Sequence, residues 1–308
     1  MRVCHGGVRM VSVVAVGTAV MDYIFAVDEL PQGGGKHFAS GYSEIGGGPA
    51  ANGAVAAASL GARAALWARV GADAVGDRLI AELAGDGVDT THVRRVAGGR
   101  SSLSAVMVDG RGERMIVNYT DADLDADASW LPLDGLAGAD AILVHHRWPA
   151  GAAAVMERAR SLGVPSVIDA DVIPEREAED LVILASHAAF SQGALRELTG
   201  TGDIADGLRA AHARTQGWVC VTAGSEGCYW IEDNSVRHQP AFAVEVVDTL
   251  GAGDVFHGAL AVALGEGRGE ADAVRFASAA AALKCTRFGG RAGIPERAEV
   301  DRFLAATG

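Results

Sequence analysis

Asp248-Thr249-Leu250-Gly251-Ala252-Gly253-Asp254 runs without a break into the helical pattern Val255–Leu264. Small residues at a helix start leave backbone N–H groups open, and the helix dipole adds positive potential at that end. The stretch therefore reads as an anion site suited to a phosphoryl group. Asp254 falls in the first helical turn. A carboxylate beside a bound anion is electrostatically odd unless it takes a proton from an attacking hydroxyl. The plain alternative is an acidic residue that only satisfies the helix dipole.

A second glycine-rich stretch, Gly46-Gly47-Gly48-Pro49-Ala50-Ala51-Asn52, also opens a helix. It is not a Walker loop, since no Gly-Lys-Ser/Thr follows, and it carries no dinucleotide fingerprint. Gly33-Gly34-Gly35-Lys36 fails the same test because His37 follows. Missing Cβ atoms let a ligand approach the backbone closely. Asn52 offers a donor and an acceptor, which suits sugar hydroxyls. Asp22 stands just after the first strand, where α/β sheets bind ligands, or is a simple turn residue. Around these motifs, short β-branched runs alternate with alanine- and leucine-rich stretches. Val11–Val16, Ala64–Val70, Ala141–His145 and Ser166–Asp169 read as strands. Ala50–Leu60, Val75–Ala84, Ala152–Ser161 and the region after Pro174 read as helices. That alternation predicts an α/β fold, a doubly wound, mostly parallel sheet with helices on both faces. Tyr23–Val27 with His37–Glu44, and Leu103–Asp109 with Glu113–Tyr119, read as hairpins of a small β-sheet lid. Three alanine-rich helices follow Gly251.

The 308 residues carry a formal net charge of −13. That argues against nucleic-acid binding as a main task and against an anionic membrane surface. No stretch is long and apolar enough for a membrane span, and Val11–Val20, closed by Asp22, reads as a buried strand rather than a leader. With 49% apolar residues the chain can bury a large core. Cys4, Cys220, Cys228 and Cys285 form no disulfide-like framework, so a reduced, cytoplasmic setting is expected. Lysine is scarce, with Lys36 and Lys284 alone among 26 basic side chains. His145-His146 lacks a third metal ligand at a telling spacing. Arg287 and Arg291 either contact nucleotide or cover the surface.

Gly47-Gly48-x-x-x-Asn52 together with Asp248-Thr-x-Gly-Ala-Gly-Asp254 resembles the paired signatures of the ribokinase-like (PfkB) carbohydrate kinases. Gly17…Asp22 and Thr222-Ala223-Gly224-Ser225-x-Gly227 match that family too, so the resemblance covers essentially the whole chain. It implies one ribokinase-like domain over residues 1–308, with lid segments near 21–46 and 101–121 and an ATP-binding part near 185–308. It implies ATP with Mg2+ as the phosphoryl donor system. Asp254 becomes the catalytic base, with the amides of Gly251, Ala252 and Gly253 beside it. Asp22, Gly47, Gly48 and Asn52 stand where the family holds sugar hydroxyls. Thr222, Gly224, Ser225 and Gly227 stand where it binds nucleotide. The C-terminal loop lies where some members hold a monovalent cation, and lid-mediated homodimers occur in the family. One departure is clear. Many family members carry Asn-x-x-Glu, linked to magnesium waters, where this chain has Ser191-Gln192-Gly193-Ala194. Asp169, Asp171 or water would then organise the metal, whose ligands are unassigned.

Gly35-Lys36, Ile45–Ala51, Met107–Asp109, Gly112-Glu113-Arg114, Asn118-Tyr119 and Arg147-Trp148 are similar to the 6-deoxy-6-sulfofructose kinases within that family. So are His238–Phe242, Val247–Leu264, Ala281–Arg287 and Gly289–Pro295. The resemblance implies phosphorylation at the C1 hydroxyl, with a sulfonate pocket at Lys36, Asn118 and Arg147. A forked guanidinium, a point charge and a neutral donor suit a monoanion with three acceptor oxygens. A solvated lid charge or turn residue is the simpler reading of each. Kinases for fructose 6-phosphate, fructose or ribose are the alternative, and a sugar-sensing pseudokinase a further one.

Overall fold

The computed structural model describes residues 10–111, 113–124, 126–171, 177–215 and 217–307. In chain order the elements begin β1 Ser12–Thr18, β2 Val20–Ala26, β3 Gly41–Gly47, α1 Pro49–Ser59, β4 Arg63–Gly71, α2 Ala74–Gly85 and β5 Val93–Val96. Next come β6 Ser102–Val108, β7 Arg114–Tyr119, β8 Ala141–His145, α3 Pro149–Leu162, β9 Ser166–Ala170, α4 Glu177–Leu184 and β10 His187–Ser191. The rest are α5 Gln192–Thr199, α6 Ile204–Arg214, β11 Trp218–Thr222, β12 Cys228–Glu232, β13 Ser235–Gln239, α7 Ala252–Gly265, α8 Glu270–Cys285 and α9 Arg297–Ala306.

Nine strands form the main sheet in the order β13-β12-β11-β10-β9-β8-β1-β4-β5. From β5 to β11 every pairing is parallel, and β12 and β13 add an antiparallel edge. β8 and β9 are buried at every position, as strands covered on both faces must be. One face packs on α1, α7 and α8, the other on α3 and α6. The chain leaves β1 towards β4 and β5, then returns to β8 and proceeds the other way. Strand order thus reverses between β1 and β8, and the crevice beyond their C-terminal ends is the expected ligand position.

Two helices start at that crevice. α7 is buried from Val255 to Leu264, because it lies between α1 and α8. Its approach to α1 depends on glycine: a Cβ on Gly258 would stand 2.5 Å from Gly53 O. Both glycine-rich motifs are therefore held side by side. No helix among the described residues is long and apolar enough to cross a membrane.

The second sheet has the order β3-β2-β6-β7. It differs from two hairpins laid together, because β2 and β6 pair in parallel while β3 and β7 pair antiparallel on the outside. β3 begins at Gly41, later than the expected His37, because its register opposite β2 runs from Ala26↔Gly41 to Val20↔Gly47. Gly112 of the expected β6–β7 turn and Pro174 lie outside the described residues. The registers align Ile45, Asp22, Ser104 and Asn118 in one row across the sheet.

Candidate active site

Gly48 caps α1 with φ +96°, a conformation costly for any residue with a Cβ. A Cβ there would also lie 2.6 Å from Thr18 O, at the end of β1. Pro49 follows at the first helical position, where its missing N–H is harmless. Asp22 lies directly against Gly47, in the space a side chain there would fill. Burial raises the Asp22 pKa, against the pull of Ser104 and Arg291.

Asn52, on the first turn of α1, reaches α7. Its Nδ2 donates to Asp254 Oδ2 at 2.7 Å. Its Oδ1 accepts from Arg291 Nε at 2.9 Å, which fixes the amide orientation. Arg291 Nη2 also donates to Gly47 O at 3.1 Å. Only 7% of the Arg291 side chain is exposed. It is nearly enclosed and ties the Gly47 loop to Asn52, and through Asn52 to Asp254. Arg287 instead pairs with Glu299 at the surface.

Gly251, at φ +78°, caps α7. Among the described residues the amides of Gly251, Gly253 and Asp254 carry no hydrogen bond, whereas Ala252 N donates to Thr249 O at 3.2 Å. The candidate anion site is thus three amides around Ala252, whose own N–H is already used. Arg114 of β7 hydrogen-bonds Thr249 Oγ1, joining the small sheet to this loop.

Burial holds the Asp254 carboxyl up at about 7, and the charges of Asp169 and Asp22 add to it, while Asn52 and His257 oppose. One turn on, His257 Nδ1 lies 3.2 Å from Asp169 Oδ2, both nearly enclosed. Burial alone would raise Asp169, but His257, with His145 and His146, holds it down at about 2. Burial alone would lower His257, and Asp169 overcomes it. Asp169 is therefore paired with His257. Asp171 is exposed and accepts from Ser191 Oγ at 3.1 Å. His145 is buried and held near a pKa of about 3 by desolvation.

These groups meet where the strand order reverses: an uncommitted set of amides, a carboxyl with a pKa near neutrality, and a row of polar side chains opposite. The match to known proteins agrees. The model of the pfkB family carbohydrate kinases matches residues 10–297.

The chain belongs to the pfkB family of carbohydrate kinases.

Its activity class is that of an ATP-dependent sugar kinase. The ribokinase of Bacillus subtilis is 28% identical over 96% of this chain and 100% of its own. The crystal structure of Thermotoga maritima ribokinase has a TM-score of 0.84 and 27% identity, covering 96% of this chain and 100% of that one. An Agrobacterium tumefaciens protein of known structure reaches a TM-score of 0.93 at 42% identity, covering 97% and 99%.

In this pfkB kinase the stretch expected at the nucleotide lies at the C-terminal end of β11. Thr222 Oγ1 donates to Phe190 O at 3.3 Å, and Ser225 is exposed on the turn that follows. Gly224 and Gly227 adopt φ +54° and +97°, and Ala223 N donates to Gly227 O at 2.7 Å, closing a tight loop. Asn118 stands on the row with Asp22, and its Oδ1 accepts from Ser104 Oγ at 2.8 Å. Arg147 is exposed two positions beyond β8, and Lys36 is exposed in the β2–β3 connection. Among the described residues no hydrogen bond or ion pair joins Lys36, Asn118 and Arg147 to one another. Sequence reasoning missed the tie through Arg291, the His257–Asp169 pair and the placement of Ser104. Alternation along Val20–Ala26 and Ser102–Val108 could have aligned Ser104 with Asp22. Nothing local marks the other two.

Proposed function

We propose that this kinase transfers the γ-phosphoryl group of ATP to the C1 hydroxyl of 6-deoxy-6-sulfofructose. The observation that carries the transfer chemistry is the Asn52–Asp254 hydrogen bond beside the open amides of α7. Asp22 and Asn52 orient the sugar hydroxyls, with Gly47 and Gly48 giving close backbone approach. Asp254 accepts the hydroxyl proton as that oxygen bonds to the γ-phosphorus. The bond to the β-phosphate oxygen breaks and ADP leaves. The amides of Gly251, Gly253 and Asp254 meet the transferring charge, and losing one such donor typically costs ~10²–10³ in rate. Thr222, Gly224, Ser225 and Gly227 hold the nucleotide. Among the described residues no cluster of three or more acidic, histidine or cysteine side chains could hold a metal. Asp171, exposed just past β9 and bonded to Ser191 Oγ, is the carboxylate that would order the water of a Mg2+ ion. The bound ion supplies neutralisation of phosphate charge.

Support for a sulfonate comes from Arg147, a cation without a partner among the described residues at the strand-order reversal. Asn118 supports it too, since its Nδ2 is uncommitted on the Asp22 row. Lys36 would join them from the β2–β3 connection as the lid closes. Exposed Tyr42, Ile116 and Val117 support pairing of two lids in a homodimer. A neutral pentose is the second reading, favoured by the names of the ribokinase relatives. An ATP-coupled assay with sulfofructose, fructose 6-phosphate, fructose and ribose decides. Preference for sulfofructose supports the pocket, preference for fructose 6-phosphate changes its anion, and turnover of neutral sugars alone removes the sulfonate reading.

A further inference from the structure

Lys284 of α8 has no solvent exposure at all. Its Nζ donates to Asp248 Oδ2 at 3.1 Å, Asp248 O at 3.2 Å and Arg287 O at 3.4 Å. A carboxylate and two carbonyls around one buried positive charge form the all-oxygen shell that hard cations favour. Enclosing an ammonium costs more than enclosing an apolar side chain of like size, so the charge has a task beyond filling space.

Its partners say which task. The Asp248 carboxylate also accepts from Leu250 N at 2.8 Å and Gly289 N at 3.1 Å. Burial would raise the Asp248 pKa, but these amides and the ammonium bring it below its ordinary value. Leu250 leads into the open amides of α7. Gly289 leads to Arg291, which holds Gly47 O and Asn52 Oδ1. One cation thus sits at the joint between the anion loop and the loop that fixes Asn52 against Asp254.

We propose that Lys284 is a built-in monovalent cation: a positioning residue that sets the Asp248–Asp254 loop and makes catalysis independent of added potassium or ammonium ions. The inference rests on reading the start of α7 as the phosphoryl site.

The test compares wild type, Lys284→Ala and Lys284→Met in potassium, ammonium and choline chloride at matched ionic strength. ATP turnover with sulfofructose or ribose and thermal melting are both read. Wild type should show the same turnover and melting in all three salts. Lys284→Ala in choline should lose roughly 10²-fold in kcat, as expected for a misplaced loop, with a smaller change in sugar KM. Potassium or ammonium, which can enter the vacated space, should restore turnover and raise the melting temperature. Lys284→Met, which fills that space, should fall without rescue. A wild type that needs potassium overturns the proposal. So does a Lys284→Ala protein that is fully active in choline, or equally impaired in every salt. If Lys284→Ala folds only in potassium or ammonium, that supports the proposal, and failure to fold in all three counts against it. The salt-specific melting shift needs no substrate, so it separates failure of this inference from failure of the phosphoryl-site reading.

Discussion

Asn52 and Asp254 are 202 positions apart, yet their side chains meet at 2.7 Å between the first turns of two adjacent helices. The contact joins the Gly46–Asn52 motif to the Asp248–Asp254 motif. It also orients the Asp254 carboxylate, since Arg291 fixes the far side of the Asn52 amide. The proposed base, held this way, has little freedom to turn from an incoming hydroxyl.

The pH dependence of catalysis follows from the Asp254 environment. Burial, reinforced by Asp169, holds this carboxyl at about 7. The base must be ionised to accept a proton. kcat/KM should therefore rise as pH increases through about 7 and level off above it. A profile flat from about pH 6 to 8 would contradict this role.

The same shift enters stability with a definite sign. The folded-state pKa lies above the ordinary value of 3.8. The native state therefore binds this proton more tightly than the unfolded chain. That stabilisation is complete below the unfolded pKa and is lost as pH rises through about 7. Asp254→Asn should melt higher than wild type above neutrality, with a smaller difference in mild acid. Melting curves across pH check this; an equal difference at every pH counts against it.

Arg291→Lys keeps a charge but loses the fork that spans Gly47 O and Asn52 Oδ1. Hydrogen bonds to a charged group contribute about 1.5–3 kcal/mol, so stability should fall on that scale. kcat/KM should fall with it, because Asn52 is no longer fixed. Denaturant unfolding and steady-state kinetics read the two effects, and wild-type values in both would remove Arg291 from the account.

Arg147→Ala should raise KM for sulfofructose roughly ten- to hundredfold, the scale of one charge-assisted hydrogen bond. KM for ribose should stay put. An equal change for both sugars would mean that Arg147 does not read the anion.

Much of the frame was legible because it rests on local pattern. The apolar runs of β1, β8 and β9 lie in fully covered strands, and the glycine motifs stand at helix starts for steric reasons visible in the sequence. Pairing was harder. The β2–β6 contact joins strands from separate expected hairpins, and alternation states which face is buried without naming the neighbour. The long-range polar ties were not legible. Arg291 meets Asn52 across 239 positions, and Lys284 meets Asp248 from a helix whose composition is mostly alanine. Such contacts depend on how the helices pack, and no periodicity encodes them. Asp169 looked equivalent to Asp171 in sequence. Asp169 lies inside the buried β9 and pairs with His257, one turn beyond Asp254, whereas Asp171 lies past the strand end and is exposed.

The most direct test of the central claim is turnover and sugar binding by Asp254→Asn. The substitution preserves shape and an acceptor for Asn52 but removes the base. The account predicts that kcat falls by roughly 10²–10⁴ while the sugar dissociation constant stays close to wild type. Turnover at the wild-type rate would contradict it.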